Sequence, residues 1–337
     1  MLRLCSGRVE ILVHGAYGHP QLLDRIASLY DVDVGNVLPV PGTSMGNFIS
    51  LACAVGRGER VAIEFPAYEP LIRSAEFLGL EIVRFDRDPR YGYVPNGEQV
   101  ADALRGGARA VVLSDLHNPS GLMCPEAALS HLAQLCAEHG AWLIVDEVYR
   151  DFAHLHKGVP RSTAFRLGAR VVVTNSLTKV YGFGGVRAGW ILAAADFIER
   201  ARGCSDLLYV DMPAPSADLA IHVLDELERF GERTRGIYEA GYPILAEWAA
   251  SRGDVGWYGN DGALFSYFRL PEGVEADAFC ERLRRDYDTQ VVSGTFFGQM
   301  GHFRIGFGVP AEDLAEGLRR VGLALDDVCA ERGAGRS

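Results

Sequence analysis

Short apolar segments alternate with amphipathic, helix-like segments, and this alternation most narrows the folds open to the 337-residue chain. A stretch such as 126–139, preceded by Pro125, has the pattern of a helix that begins near a proline. Strands that alternate with helices predict a mostly parallel, mixed sheet covered on both faces, which is a three-layer αβα domain. The apolar segments with the length of strands are 61–65, 81–85, 110–115, 141–147, 171–176 and 189–195.

The pattern changes in the last third of the chain. A long helical pattern runs from Ala214 to about Trp248, and Pro243 inside it predicts a kink or a break. We expect a large domain over residues 30–240 and a small α+β domain made of 1–29 with 241–337. The small domain is predicted from two strand-like and two helix-like segments, at 263–270, 302–308, 276–287 and 311–323.

Charge and cysteine content exclude several classes of protein. A net charge of −11 argues against nucleic acid or an anionic membrane as the main partner. No apolar run approaches the ~20 residues of a membrane span, and the N-terminal sequence MLRLCSGRVE lacks the apolar segment of a signal peptide. The seven cysteines are scattered without C-x-x-C spacing. We therefore expect free thiols in a reducing cytoplasm, with neither a metal site nor a disulfide framework.

Lysine is almost absent, since only Lys157 and Lys179 occur among 33 basic residues. Lys179 lies in VTNSLTKVYGFGGVRAGW, which runs from a predicted strand into a glycine-rich turn. A primary amine forms an imine, which a guanidinium does not, so arginine cannot replace lysine in that chemistry. Ser176 and Arg187 flank Lys179 and suit a phosphate held beside the amine. A solvated surface lysine is the alternative.

A second candidate phosphate site precedes a predicted helix. Gly42, Thr43 and Ser44 come directly before an apolar-periodic segment. Backbone N–H groups at a helix N-terminus, together with two hydroxyl groups, bind anions well. An ordinary helix N-cap by Thr43 or Ser44 explains the same residues.

Polar and aromatic side chains follow several predicted strands. Asp146 ends a strongly apolar strand, at the edge where open α/β sheets bind ligands. Its carboxylate suits a protonated ring nitrogen, or it caps a helix. Tyr149 follows Asp146 closely. Asn118 is either a turn residue or a hydrogen-bond donor to a ligand, and Tyr68 either stacks on a planar ligand or fills the core.

The segment HFRIGFG predicts one more functional side chain. Strand alternation places Phe303, Ile305 and Phe307 on one face and Arg304 on the other, beside glycines. Arg304 is therefore a candidate bidentate clamp for a substrate carboxylate. A surface salt bridge is the alternative.

Taken in order, these motifs resemble the class I/II aminotransferases of the pyridoxal-phosphate-dependent fold type I superfamily, over about residues 16–325. The resemblance implies that Lys179 forms the internal aldimine and moves the proton between the substrate Cα and the cofactor, and that Asp146 pairs with the pyridine nitrogen. Tyr149 and Asn118 would contact the phenolic oxygen of pyridoxal 5'-phosphate, and Tyr68 would stack on its ring. The implied phosphate ligands are Gly42, Thr43, Ser44, Ser176 and Arg187.

The resemblance also implies the substrates and the assembly. Arg304 with Asn118 would bind the substrate α-carboxylate, so the expected reaction moves the amino group of an L-amino acid to a 2-oxo acid. Tyr17 matches the family tyrosine that reaches the phosphate of the neighbouring subunit, which implies a homodimer with shared sites.

Two departures from the family pattern leave alternatives open. Ser120 replaces the family threonine of Asn-Pro-Thr-Gly, and only 15 residues precede Ala16-Tyr17, so either the natural start lies upstream or the pocket is more open. A lyase or decarboxylase on the same fold is one alternative, because the cofactor motifs do not determine which bond at Cα breaks. A weakly catalytic pyridoxal-phosphate-binding protein is the other.

Overall fold

The computed structural model describes residues 17–334, with side chains through Glu331. Residues 1–16 of the predicted small domain lie outside the described residues. In chain order the helices and strands are α1 (Pro20–Tyr30), β1 (Val37–Val40), α2 (Thr43–Ala54), β2 (Arg60–Phe65), α3 (Glu69–Phe77), β3 (Glu81–Asp86), α4 (Gly97–Arg105), β4 (Ala108–Ser114), α5 (Glu126–Glu138), β5 (Trp142–Asp146), α6 (Asp151–Lys157), β6 (Val171–Ser176), β7 (Gly189–Leu192), α7 (Ala195–Leu208), α8 (Ala214–Asp225), α9 (Leu227–Ser251), β8 (Gly256–Trp257), β9 (Phe265–Arg269), α10 (Ala276–Asp286), β10 (Val292–Ser293), β11 (His302–Gly306) and α11 (Ala311–Ala334).

The first two-thirds of the described chain form a seven-stranded sheet in the order β1-β7-β6-β5-β4-β2-β3. The pairs β2–β3, β2–β4, β4–β5 and β5–β6 are parallel, whereas β7 runs antiparallel to both β6 and β1. The predicted three-layer αβα architecture with a mostly parallel, mixed sheet is therefore confirmed. Parallel strands end at one edge of the sheet, and the loops that follow β4, β5 and β6 meet there.

The central strands are apolar on both faces because helices cover both. Along β4, Val111 and Leu113 pack into one buried cluster, while Ala110 and Val112 pack into the cluster on the opposite face. This alternation explains why these segments lack the polar positions of a half-exposed strand.

The smaller sheet is antiparallel, in the order β10-β11-β9-β8. Phe303, Ile305 and Phe307 are buried in one cluster against α9, α10 and α11, as the predicted alternation requires. The other face of β11 carries Arg304 toward the large sheet, where it contacts Asn118.

The structure differs from the sequence-based expectations in several elements. The helical pattern from Ala214 is interrupted at Glu226, and α9 continues through Pro243, so of the kink or break predicted at Pro243 the break does not occur. Buried residues on either side, Tyr238 and Leu245, hold both halves of α9 in one core. The strand predicted at 189–195 is shorter because α7 begins at Ala195, and the short strands β1, β8 and β10 were not predicted.

Helix α1 packs against β1 and α8, with Leu22 and Ile26 in the core of the large sheet. The domain boundaries given above stay a prediction. The six cysteines of the described part of the chain are free thiols, and two of them, Cys124 and Cys136, are buried. Among the described helices, none is both long and apolar enough to cross a membrane.

Candidate active site

A cleft lies at the carboxyl edge of the large sheet, where the ends of β4, β5 and β6 meet the start of α2. Nine of the side chains predicted from the sequence line it: Thr43, Ser44, Tyr68, Asn118, Asp146, Tyr149, Ser176, Lys179 and Arg187. These residues come from separate segments of the sequence, which converge because parallel strands end at the same edge.

One end of the cleft is suited to an anion. Helix α2 begins at Thr43, and no described side chain caps its N-terminus. Thr43 Oγ1 donates a hydrogen bond to Ser176 Oγ over 2.8 Å, and Arg187 Nη2 donates to the Pro41 carbonyl over 2.9 Å. Gly42 has a φ of +88°, and a Cβ there would lie 2.5 Å from Arg187 Nη2. Only glycine therefore allows the guanidinium to lie against the helix start, where it adds charge to the helix dipole.

Asp146 lies at the buried end of the cleft, at the last position of β5. Asn47 Nδ2 donates to its Oδ2 over 2.7 Å, and the Val148 N–H donates to its Oδ1 over 3.0 Å. Burial raises the pKa of the Asp146 carboxyl to about 6, while these two hydrogen bonds and the charge of Lys179 oppose the increase. The carboxylate is therefore held in one orientation and suits a cationic partner in the cleft.

Lys179 follows β6 by three residues and is open to the solvent in the cleft. The cleft walls still desolvate its amine, and this desolvation lowers its pKa, with the charges of Arg304 and Arg187 acting in the same direction. Asp146 opposes the decrease. An amine with a lowered pKa is more often unprotonated, which is the form that acts as a nucleophile or a base.

Arg304, on β11 of the small sheet, is not among the residues that line the cleft but borders it through Asn118, which does. Its Nη1 donates to Asn118 Oδ1 over 2.6 Å, and its guanidinium lies 5.0 Å from the ring centres of both Phe265 and Phe297. Desolvation lowers the pKa of Arg304, and nearby tyrosines, chiefly Tyr149, oppose this effect. A desolvated guanidinium beside an open cleft attracts a carboxylate strongly.

Two tyrosines border the same space. Tyr149 is buried, and burial raises its pKa to about 12 against the opposing charge of Arg304. Tyr68 is 36% exposed, precedes the first residue of α3 without a side-chain capping bond, and lines the cleft.

Tyr17 is not among the residues that line the cleft of its own chain. Its hydroxyl donates to Asp206 Oδ2 over 2.9 Å, and the Arg202 guanidinium lies 5.4 Å from its ring centre. The predicted contact of Tyr17 with a neighbouring subunit stays a prediction.

Four cleft residues were not predicted from the sequence: Asn47, Ser114, Val148 and Thr178. Asn47 lies four residues after Thr43 on α2, so the helical period brings both side chains to the same face, and this spacing was the available signal. Ser114 is the last residue of β4, as Asp146 is of β5, and strand ends were again the signal.

The cleft residues fit pyridoxal phosphate, which carries an aromatic nitrogen, an aldehyde and a phosphate. Asp146 suits a protonated ring nitrogen, Lys179 suits the aldehyde, and the start of α2 with Arg187 suits the phosphate. Two polar atoms beside the cleft are buried without a hydrogen-bond partner among the described residues, Thr178 Oγ1 and Arg304 Nε. Such atoms are available to a ligand.

Comparison with known proteins agrees with this chemistry. The model of the family "Aminotransferase class I and II" matches residues 12–321. Arginine–pyruvate transaminase of Pseudomonas aeruginosa is 27% identical over 303 residues, which are 89% of this chain and 77% of that protein. Valine–pyruvate aminotransferase of Mycobacterium tuberculosis is 28% identical over 320 residues, 91% of this chain and 81% of that protein.

Solved structures show the same fold. A crystal structure of an aminotransferase from Mycobacterium tuberculosis has a TM-score of 0.88 and 26% identity, and the match covers 94% of this chain and 84% of that one. An aspartate aminotransferase variant from Thermus thermophilus has a TM-score of 0.86 and 23% identity, and the match covers 93% of this chain and 88% of that one. The chain belongs to the aminotransferase class I and II family, whose members use pyridoxal phosphate to act on amino acids and 2-oxo acids.

Proposed function

We propose that this enzyme moves the amino group of an L-amino acid to a 2-oxo acid in the cleft around Lys179. The observation that carries the proposal is that the amine of Lys179 and the buried carboxyl of Asp146 open into one cleft, with a helix start and Arg187 at its anion-binding end. No pair of these residues is adjacent in the sequence.

Each residue has a distinct task in this proposal. Pyridoxal phosphate, when bound, supplies an aldehyde and a ring that withdraws electrons from the substrate Cα. Thr43, Ser176 and Arg187 bind its phosphate. Asp146 keeps a proton on the ring nitrogen, which maintains that electron withdrawal.

Lys179 and Arg304 act on the substrate itself. Arg304, held by Asn118, binds the substrate α-carboxylate and so fixes Cα near the Lys179 amine. The lowered pKa of that amine leaves it more often unprotonated, so it can accept the proton from Cα and deliver it to the cofactor. Tyr149 lines the cleft beside Arg304, and its hydroxyl interacts electrostatically with the Arg304 guanidinium.

Assembly and location form the remaining part of the proposal. The enzyme is a homodimer in which Tyr17 reaches the partner's site, and it is located in the cytoplasm. The match of Tyr17 to the family tyrosine supports the first, and the free cysteines support the second. Sedimentation of the purified protein tests the dimer, and a single-chain mass would contradict it.

A panel of amino acids tests the reaction. Protein loaded with pyridoxal phosphate is mixed with each amino acid, and the cofactor and products are analysed. Conversion to the pyridoxamine form with release of a 2-oxo acid supports transfer. Carbon dioxide, or ammonia with the cofactor unchanged, supports a lyase or decarboxylase instead.

The chain offers a matched pair of lysines for testing the role of Lys179. We expect Lys179→Ala to lose all borohydride-fixed cofactor and to reduce the amino-acid half-reaction by at least about 10³-fold, since it removes the covalent and the proton-transfer group together. Lys157→Ala should retain the fixed cofactor and the half-reaction. Lys157 is on the last turn of α6, its Nζ lies over the Tyr242 ring of α9, and it is absent from the cleft lining. Cofactor fixed in Lys179→Ala would contradict the assignment.

A further inference from the structure

A fully buried ion pair lies behind the cleft. Glu64 on β2 and Arg87, which follows β3, are each 1% exposed, and Arg87 Nη1 lies 2.7 Å from Glu64 Oε2. Removing two charges from water costs several kcal/mol for each ion, and apolar residues of similar size often fill such a site without loss of stability. Stability alone therefore does not account for this pair.

The pair makes three hydrogen bonds to Ser114, the last residue of β4. Both the backbone N–H and the hydroxyl of Ser114 donate to Glu64 Oε1, over 2.8 and 2.6 Å. Arg87 Nη1 donates to the Ser114 carbonyl over 2.9 Å. Ser114 is thus held at its amide, its side chain and its carbonyl by one ion pair, and it lines the cleft.

Ser114 in turn holds Asn118. Because the Ser114 hydroxyl hydrogen is directed at Glu64, an oxygen lone pair is left to accept the Asn118 N–H, and that distance is 3.0 Å. Asn118 Oδ1 then accepts the 2.6 Å hydrogen bond from Arg304. An unbroken chain of hydrogen bonds therefore runs from the ion pair to the guanidinium.

A second contact reaches the same loop from its other side. Arg87 Nε donates to the Tyr93 carbonyl over 2.5 Å, and the Tyr93 ring centre lies 5.3 Å from that of His117. The His117 ring is also fixed through Ser120 Oγ and the Pro66 carbonyl, at 2.8 and 2.9 Å. His117, which directly precedes Asn118, is consequently held by Tyr93, a neighbour of the ion pair, and Ser120 is hydrogen-bonded to the same ring.

We propose that Glu64 and Arg87 are positioning residues for the substrate carboxylate, because they align Ser114, then Asn118, and thereby Arg304. This inference rests on the proposed function of Arg304 and Asn118. Glu64 and Arg87 themselves touch neither substrate nor cofactor. Their effect is on carboxylate binding, while the Lys179 and Asp146 end of the cleft is unaffected.

Two variants separate positioning from stability in the cofactor-loaded enzyme. Glu64→Gln weakens the hold on Ser114, and the double variant Glu64→Leu with Arg87→Met replaces the pair by apolar side chains. For both we expect KM for the amino acid, and the Kd of unreactive propionate measured by calorimetry, to rise about tenfold, the effect of misaligning one charge-assisted hydrogen bond. The affinity for pyridoxal phosphate should fall less than the propionate affinity, because Asn118 is one of several side chains expected to contact the cofactor, and kcat should stay within about threefold of wild type.

A double-mutant cycle tests the path through Ser114. Ser114→Ala should raise the propionate Kd by a similar factor, and adding Glu64→Gln to it should have little further effect, because both changes break the same chain. A matched control is Arg252→Gln, which breaks the Arg252–Asp254 ion pair of the small domain (2.5 Å). It should leave KM and Kd unchanged whatever its effect on stability.

Several outcomes overturn the inference. One is a stable apolar double variant with wild-type KM and propionate Kd, which would make the pair structural only. Another is full additivity in the cycle. If the Glu64 variants do not fold, the Ser114→Ala variant, which keeps the ion pair, still tests the inference. A propionate Kd that is unchanged in Ser114→Ala would overturn it. A wild-type enzyme that binds propionate but transfers no amino group would instead refute the proposed function and leave positioning measurable by Kd.

Discussion

The hydrogen bond from Asn47 lowers the pKa of Asp146, and replacing Asn47 by leucine tests the size of that effect. The two side chains are each 5% exposed, and the 2.7 Å hydrogen bond from Asn47 Nδ2 is the largest influence that opposes the raised pKa of Asp146. Leucine branches at the same carbon, is somewhat larger and has no donor. The change removes the hydrogen bond to the buried carboxylate, together with the 2.6 Å hydrogen bond that Asn47 Oδ1 accepts from Thr174 Oγ1, so its effect on stability is measured separately from its effect on the pKa of Asp146.

The size of the effect follows from the value of that hydrogen bond. A hydrogen bond to a charged group contributes about 1.5–3 kcal/mol, which is about one to two pH units at 1.36 kcal/mol each. The pKa of Asp146, about 6 in the wild-type protein, is then expected at about 7–8 in Asn47→Leu. Asp146 would be mostly protonated at pH 7, and a neutral carboxyl does not stabilise a protonated ring nitrogen.

Titration of cofactor-free protein with pyridoxal phosphate at pH 5.5 to 9 measures the consequence. Wild-type affinity should weaken as the pH falls through about 6, and the affinity of Asn47→Leu should weaken already below about 7–8. Ser44→Ala, on the same helix and in the same cleft, is the matched control: it should lower affinity equally at every pH. An Asn47→Leu affinity that is lower by a constant factor over the whole range would refute the reasoning.

Two other predictions concern the glycine at the start of α2 and the carboxyl beside Asp146. Gly42→Ala should weaken pyridoxal phosphate binding by about tenfold or more, because the new Cβ would displace Arg187. The control Gly58→Ala, at a φ of +80° with no atom within 4 Å of the new Cβ, should lose stability but keep its affinity for the cofactor. Equal cofactor affinities of the Gly42→Ala and Gly58→Ala variants in a fluorescence titration would contradict this. Burial raises the pKa of the Glu147 carboxyl to about 8, so the unfolded chain releases its proton first and the protein loses stability as the pH rises from about 4.5 through 8. Glu147→Gln should therefore be more stable than wild type at pH 9, by on the order of 5 kcal/mol in denaturant unfolding of the cofactor-free protein, and nearly equal to it at pH 4. A difference of the same size at both pH values would rule out the titration of Glu147 as the cause.

The elements that were predicted correctly are those whose signal is local. The apolar segment 171–176 appears as β6 (Val171–Ser176) because a strand buried on both faces needs a continuous apolar run. The alternation along HFRIGFG placed Phe303 in the core and Arg304 outside it because successive side chains of a strand point to opposite faces. Of the kink or break expected at Pro243, the break does not occur, because packing on both sides of α9 outweighs the loss of one backbone hydrogen bond.

By itself, the sequence determined the class of fold and the chemical identity of the groups in the cleft. Period, strand length and residue type are properties of neighbouring positions, and an amine, a carboxyl or a guanidinium has its chemistry wherever it lies. Only the tertiary structure decided which partners those groups have. Asn47 and Asp146 are 99 positions apart, and Glu64 contacts Ser114 across 50 positions. Such contacts arise at the edge of the sheet where the parallel strands end and α2 begins. No local sequence pattern encodes which strand ends and helix start meet there.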